Sequence, residues 1–266
     1  LSRLATMWEE EFVKLDKAAE RLEQIVDIDP MHEAALRSLS RIYRQLQRWD
    51  DLIGTLDRHV SATPDRKQKV DLFQAMGETY AQEKQDVDNA ISAYQNLLAI
   101  EEKNVGALDA VSRLYEKRGD HSSAIDAMEQ LIKMLNEPAA IVELRYRMGN
   151  LLDTQLGDRS AAVDQFQSAL DVEPGHLPSL EAMRKIHIDN SDWLSASRVL
   201  EQETHHQQNA RQLSRLYTDL GQIYDTRLDE HERAIAAYES AIKADADNED
   251  AAMPLVDEYT KENRWS

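Results

Sequence analysis

The chain has 266 residues, 50 of them acidic and 31 basic, for a formal net charge of −19. A field of that sign repels nucleic acid and anionic membrane surfaces, and the absence of cysteine excludes disulfides and thiolate metal sites. With 8 Gly and 6 Pro there are too few turn formers for an all-β chain, whereas the abundant Ala, Leu, Glu, Gln, Asp and Arg favour helix.

In chain order, Leu1, Leu4, Ala5 and Trp8 fall on the last three turns of one helix, and Ala18, Leu22, Ile25 and Pro30 complete its partner. A second helix pair follows, marked by Leu39-Ser40, Tyr43, Leu52, Leu56 and Pro64. Met76-Gly77, Tyr80, Ala90 and Tyr94 mark a third, and Val111-Ser112, Tyr115, Ala124, Met128 and Leu131 a fourth. Met148-Gly149, Leu152, Ala162, Phe166, Ala169 and Pro174 repeat the pattern, as do Met183-Arg184, His187, Ala196 and Leu200. Leu220-Gly221, Tyr224, Ala234, Tyr238 and Ala241 close the series. Leu255, Val256 and Tyr259 then mark a lone first helix, with Trp265-Ser266 at the start of its partner.

Apolar stripes such as Val70, Phe73, Met76 and Tyr80 keep the three- and four-residue steps of a helix face. Gly77, Gly149 and Gly221 lie 72 residues apart, so the period is a pair of units of 34 and 38 residues. Three of the four extra residues precede the glycine and one lies in the turn between helices. An addition of about one turn (roughly 3.6 residues) lengthens a helix without rotating its apolar face. Asp120 and Asp192 stand where helix N-caps are expected.

A small residue in the first helix, alanines and an aromatic in the second, and a closing proline together resemble the tetratricopeptide repeat (TPR) family. The resemblance implies an all-α, right-handed superhelix (an α-α solenoid) of about fifteen antiparallel helices. Its expected units are a partial repeat over 1–30, full repeats over 31–64, 65–102, 103–136, 137–174, 175–208 and 209–246, and a lone helix over 247–266. On this reading the chain is an excerpt of a longer solenoid.

No catalytic constellation emerges. There is no HExxH zinc motif and no glycine-rich phosphate loop, and the neighbouring His205-His206 point apart on a helix. Neither an enzyme nor a bound cofactor or metal is expected. Trp49, Trp193 and Trp265 share one position, with His121 in the remaining unit; an exposed aromatic column there would be a docking site, and packing at the helix turn is the favoured reading.

In TPR proteins the first helices line a concave groove, and the resemblance places Glu78, Tyr146 and Asn150 in it. It also places Arg37, Arg41 and Arg44 there, followed by Arg113 and Lys117 and then Lys185. Arg41, Arg113 and Lys185 share one groove position. Either these cations dock an acidic peptide, or they pair with acids such as Glu9, Glu10 and Glu78. Asn150 matches one asparagine of the family's carboxylate clamp, but Lys185 stands where the second belongs, so recognition of a chaperone C-terminus is not supported.

The expected function is a non-catalytic interaction scaffold binding a protein or peptide, an acidic one if the arginines make the contact. Two alternatives stand beside it: a regulatory or targeting segment of a larger enzyme, and a structural module that stacks head-to-tail through its cut ends at Leu1 and Leu4. No membrane-length apolar run is present, and a cytoplasmic protein is the working expectation.

Overall fold

The computed structural model describes residues 2–261, and the side chains of residues 14–260. Among the described residues all regular structure is helical, in fourteen α-helices. In the first half these are α1 (Ser2–Ile28), α2 (Glu33–Gln45), α3 (Trp49–Ala62), α4 (Arg66–Glu78), α5 (Val87–Ile100), α6 (Val105–Arg118) and α7 (His121–Ile132). The second half holds α8 (Pro138–Leu151), α9 (Arg159–Val172), α10 (Leu177–Asp189), α11 (Trp193–His206), α12 (Ala210–Thr226), α13 (His231–Ala244) and α14 (Glu249–Lys261).

One element differs from expectation. The break between two helices expected inside residues 1–30 is absent, because α1 runs uninterrupted from Ser2 to Ile28. Residues 9–17 contain no glycine or proline, so nothing stops the backbone ladder there. This merger makes the count fourteen rather than fifteen. The side chains of Leu1, Leu4, Ala5 and Trp8, and all of Trp265, lie outside the described residues.

Helix starts follow the capping rule. Asp65, Asp86, Asn104, Asp120, Asp158, Asp192 and Asn209 each accept a hydrogen bond from a first-turn backbone N–H. The insertion that separates the two unit lengths is also visible. The N-cap Asp65 stands twelve residues before Gly77, whereas His32 stands eight before Ser40, so α4 begins a full turn earlier than α2. Part of that turn comes from the preceding loop, which is one residue shorter than the loop after α5.

The remaining extra residue sits where the chain reverses. After α2, α6 and α10 the turn closes with Arg48 N–H on Tyr43 C=O, Asp120 on Tyr115 and Asp192 on His187, at 2.8–2.9 Å. After α4, α8 and α12 the equivalent bonds span one residue more: Asp86 on Tyr80, Asp158 on Leu152 and Glu230 on Tyr224, again at 2.8–2.9 Å. Following α4 and α8 the surplus is absorbed as a π-helical turn, over Thr79–Lys84 and Leu152–Leu156. Widening one turn accommodates an inserted residue without displacing the flanking apolar stripe.

The chain forms two compact units, Leu1–Met134 and Leu135–Ser266. In the first, Leu36, Leu39, Tyr43, Leu52, Leu56 and Met76 share one buried cluster, and Ile91, Tyr94, Leu97, Val111 and Leu114 another. In the second unit, Ala162, Phe166, Leu180 and Met183 form one cluster, and Leu220, Tyr224, Ala234, Tyr238 and Ala241 the other. Trp49 and Trp193 are half-buried and pack against these clusters, with the Arg227 guanidinium 4.6 Å over the Trp193 ring.

The glycine column sets the closeness of the pairs. A Cβ on Gly77 would lie 2.7 Å from Tyr94 Cε2, on Gly149 2.5 Å from Phe166 Cε1, and on Gly221 2.6 Å from Tyr238 Cε1. Each aromatic ring rests directly on bare backbone, at distances no side chain permits.

Candidate protein-interaction face

In the first unit, Arg37, Arg41 and Arg44 lie on α2 at steps of four and three residues, one stripe of a helix. All three are exposed, and none forms an ion pair with a described residue. Of the acids expected to neutralise them, Glu78 accepts from Gln74 Nε2 of its own helix at 2.9 Å. Glu9 and Glu10 have side chains outside the described residues. On α6, Arg113 pairs with Asp109 one turn earlier at 3.0 Å, and Lys117 is exposed.

Between α2, α3 and α4 lies a cavity of about 400 Å³ whose walls include Arg37, Ser40, His59, Gln68 and Asp71. His59 is 5% exposed, and its Nε2 is buried without a hydrogen-bond partner. An unsatisfied buried polar atom of this kind costs on the order of 1–3 kcal/mol. Burial lowers the imidazole pKa, with Glu33 opposing that shift and Arg37 adding to it. The Thr63 hydroxyl donates to Gln68 Oε1, which leaves the Gln68 NH2 without a partner among the described residues. Sequence reasoning passed over His59. Its signal was a histidine on the inner stripe of α3, where the corresponding residue one period later is Leu131.

The second unit holds the other candidates. Tyr146 is half-buried, its ring 5.9 Å from Phe166 and edge-on to His176 at 5.5 Å, so the side chain is engaged in packing. Asn150 is half-buried, and its carbonyl accepts from the Thr154 hydroxyl at 2.7 Å. Lys185 on α10 is exposed. Its neighbour Arg184 reaches across to α11, where Nε donates to Glu203 Oε2 at 2.8 Å. Glu203 is buried, and desolvation raises its pKa against the opposing effect of Arg184. His187, in the place of a core tyrosine, is half-buried with Nδ1 3.3 Å from Asp192.

Among the described residues no three His, Asp or Glu side chains are grouped to hold a metal ion, and no helix is long and apolar enough to cross a membrane.

Helix hairpins repeated every 72 residues, each closed on a small residue and an aromatic ring, define an α-helical repeat protein. Comparisons with known proteins find one repeat family in two stretches of the chain. Tetratricopeptide repeat profiles match residues 35–70, which carry the α2 arginines and His59, and residues 214–248. The C-terminal part of a TPR repeat-containing protein from Cytophaga hutchinsonii is 16% identical, with 95% of this chain and 98% of that one covered and a TM-score of 0.52. A chain in the structure of Naa15/Naa10 bound to HypK-THB is also 16% identical, with 98% of this chain and 42% of that one covered and a TM-score of 0.59. No curated protein matches the sequence. The chain thus carries tetratricopeptide repeats at residues 35–70 and 214–248, and its fold is that of a helical repeat array. Such repeats are generally protein–protein interaction modules, and the matched stretches are repeats alone.

Proposed function

We propose that this chain is a non-catalytic scaffold whose first unit takes an acidic peptide, or the acidic surface of a partner domain, on the face carrying the α2 arginines. The supporting observation is the exposed stripe of Arg37, Arg41 and Arg44, none of which forms an ion pair with a described residue. Other cations of the chain are paired between helices, among them Lys84 with Asp50, Arg118 with Asp88, Arg159 with Asp189 and Arg233 with Glu201. Three like charges one turn apart repel by a few tenths of a kcal/mol per pair, roughly 0.2–0.5. In a chain of net charge −19 there is no shortage of acids to offset that repulsion, yet no described acid forms an ion pair with these three. An anionic partner relieves it and gains charge-assisted hydrogen bonds to guanidinium groups.

The test is fluorescence anisotropy with a labelled glutamate-rich peptide, comparing the wild type with Arg37→Glu/Arg41→Glu/Arg44→Glu. The wild type is expected to bind, more weakly as salt rises, and the still-helical variant to lose binding. Equal binding by both, or a preference for a lysine-rich peptide, overturns the assignment.

A further inference from the structure

The cavity beside Arg37 has a counterpart two periods along the chain, and the pair supplies its own comparison. Gln68 and Leu72 correspond to Gln212 and Leu216, while Ser40 corresponds to Arg184 and His59 to Glu203. In the second unit the Arg184 guanidinium crosses to the α11 carboxylate at 2.8 Å, so the buried ionisable group there has its counter-charge supplied from within the chain. In the first unit Ser40 is too short to cross, and its hydroxyl donates to Leu36 C=O of its own helix at 2.9 Å. His59 is left with Nε2 buried and unpartnered. The corresponding positions one period on from Ser40 and His59 are Ser112 and Leu131, both buried, so this place in the fold accepts an apolar residue. A histidine there is not required by packing.

We propose that the cavity between α2, α3 and α4 is an anchoring subsite for one glutamate or aspartate side chain of the acidic ligand, held by His59, the Gln68 NH2 and Arg37. The subsite rests on the proposed acidic-peptide reading and adds to it an anchor point beside the buried His59. Polarity is decided by the residues lining the cavity. The group on α3 is a histidine where the counterpart has a carboxylate, so the complement that fills it is a carboxylate rather than a guanidinium. Asp71 is the one acid lining the cavity and formally balances Arg37. Arg41 and Arg44 continue the positive stripe along α2 beyond the cavity, which disfavours a cationic ligand. The same continuation selects side chains over a chain terminus, because an acidic run meets all three arginines whereas a single C-terminal carboxylate meets one.

The experiment uses the full chain and a C-terminally amidated, fluorescein-labelled peptide of glutamate and alanine. His59→Leu, the residue found at the corresponding position 131, is expected to fold and to bind about tenfold or more weakly, as loss of a hydrogen bond to a charged group predicts. The double variant Ser40→Arg/His59→Glu, which builds the internal ion pair of the second unit into the cavity, is expected to bind at least as weakly while remaining folded. In the wild type, saturation with peptide is expected to shift the His59 ring resonances and raise the ring's titration midpoint. The charged groups around that ring are Glu33 and Arg37 of α2 and Asp71 of α4.

Wild-type affinity in both variants, with binding still lost in Arg41→Glu/Arg44→Glu, overturns the subsite and leaves the broader reading standing. Failure of the wild type to bind the peptide, or tighter binding of a lysine–alanine peptide, overturns both. Equal binding of a glutamine–alanine peptide with a free C-terminus overturns the side-chain assignment.

Discussion

At Gly149 a methyl group would lie 2.5 Å from Phe166 Cε1, and at Gly54 on α3 it would meet nothing within 4 Å. Both are helical, so propensity alone favours alanine at each by about 0.5–1 kcal/mol. Packing reverses the sign at the first. Phe166 is fully buried in its cluster and cannot withdraw without displacing Ala162, Leu180 and Met183. Gly149→Ala is therefore expected to destabilise by about 1–3 kcal/mol, as overpacking does, while Gly54→Ala stabilises by up to about 1 kcal/mol. Urea midpoints of the two variants at constant m-value check this pair, and equal shifts would refute the steric account.

Between elements, α10 is joined to α11 through Arg184 and the buried Glu203. Removing one partner of a buried pair strands the other, so Arg184→Ala is expected to cost on the order of 3–5 kcal/mol. Arg184→Met/Glu203→Leu should be close to neutral, since Ser112 and Leu131 occupy the same places in the first unit without any charge. The pH dependence has a definite sign. Desolvation raises the Glu203 pKa above its unfolded value, so that carboxyl favours folding when protonated and opposes it as pH rises through the raised pKa. Without Arg184 the shift grows. The stability gap between Arg184→Ala and wild type should thus be smallest in acid and widen toward neutral pH, measured by thermal unfolding across that range.

For the molecule as a whole, extensive packing among the described residues is confined to helices adjacent or next-but-one in the chain, and those residues form two buried clusters in each unit. Stability in such an array is a sum of local terms. Disturbing one hairpin should therefore open that hairpin and its neighbours while distant ones stay closed. Hydrogen exchange on Gly221→Ala is expected to show faster exchange in α12 and α13 and unchanged protection in α2 and α3. A uniform rise along the chain would show instead that the molecule opens as one cooperative body.

Periodic features were legible in the sequence because they depend on residues close together in the chain. The helices from α2 onward, the glycine and aromatic positions, the caps at Asp120 and Asp192, and the extra turn before each glycine of the column all follow from spacing and local chemistry. The unbroken α1 shows the opposite weighting, since the repeat pattern suggested a turn that residues 9–17 have no means to make. Spacing does not say where a long side chain ends. Tertiary structure decided that Arg118 reaches back to Asp88 of α5, that Tyr146 is taken up against Phe166 and His176, and that His59 is buried without a partner where Glu203 has one. Those outcomes depend on which atoms a second helix brings within about 3 Å, and a one-dimensional period leaves that distance undetermined.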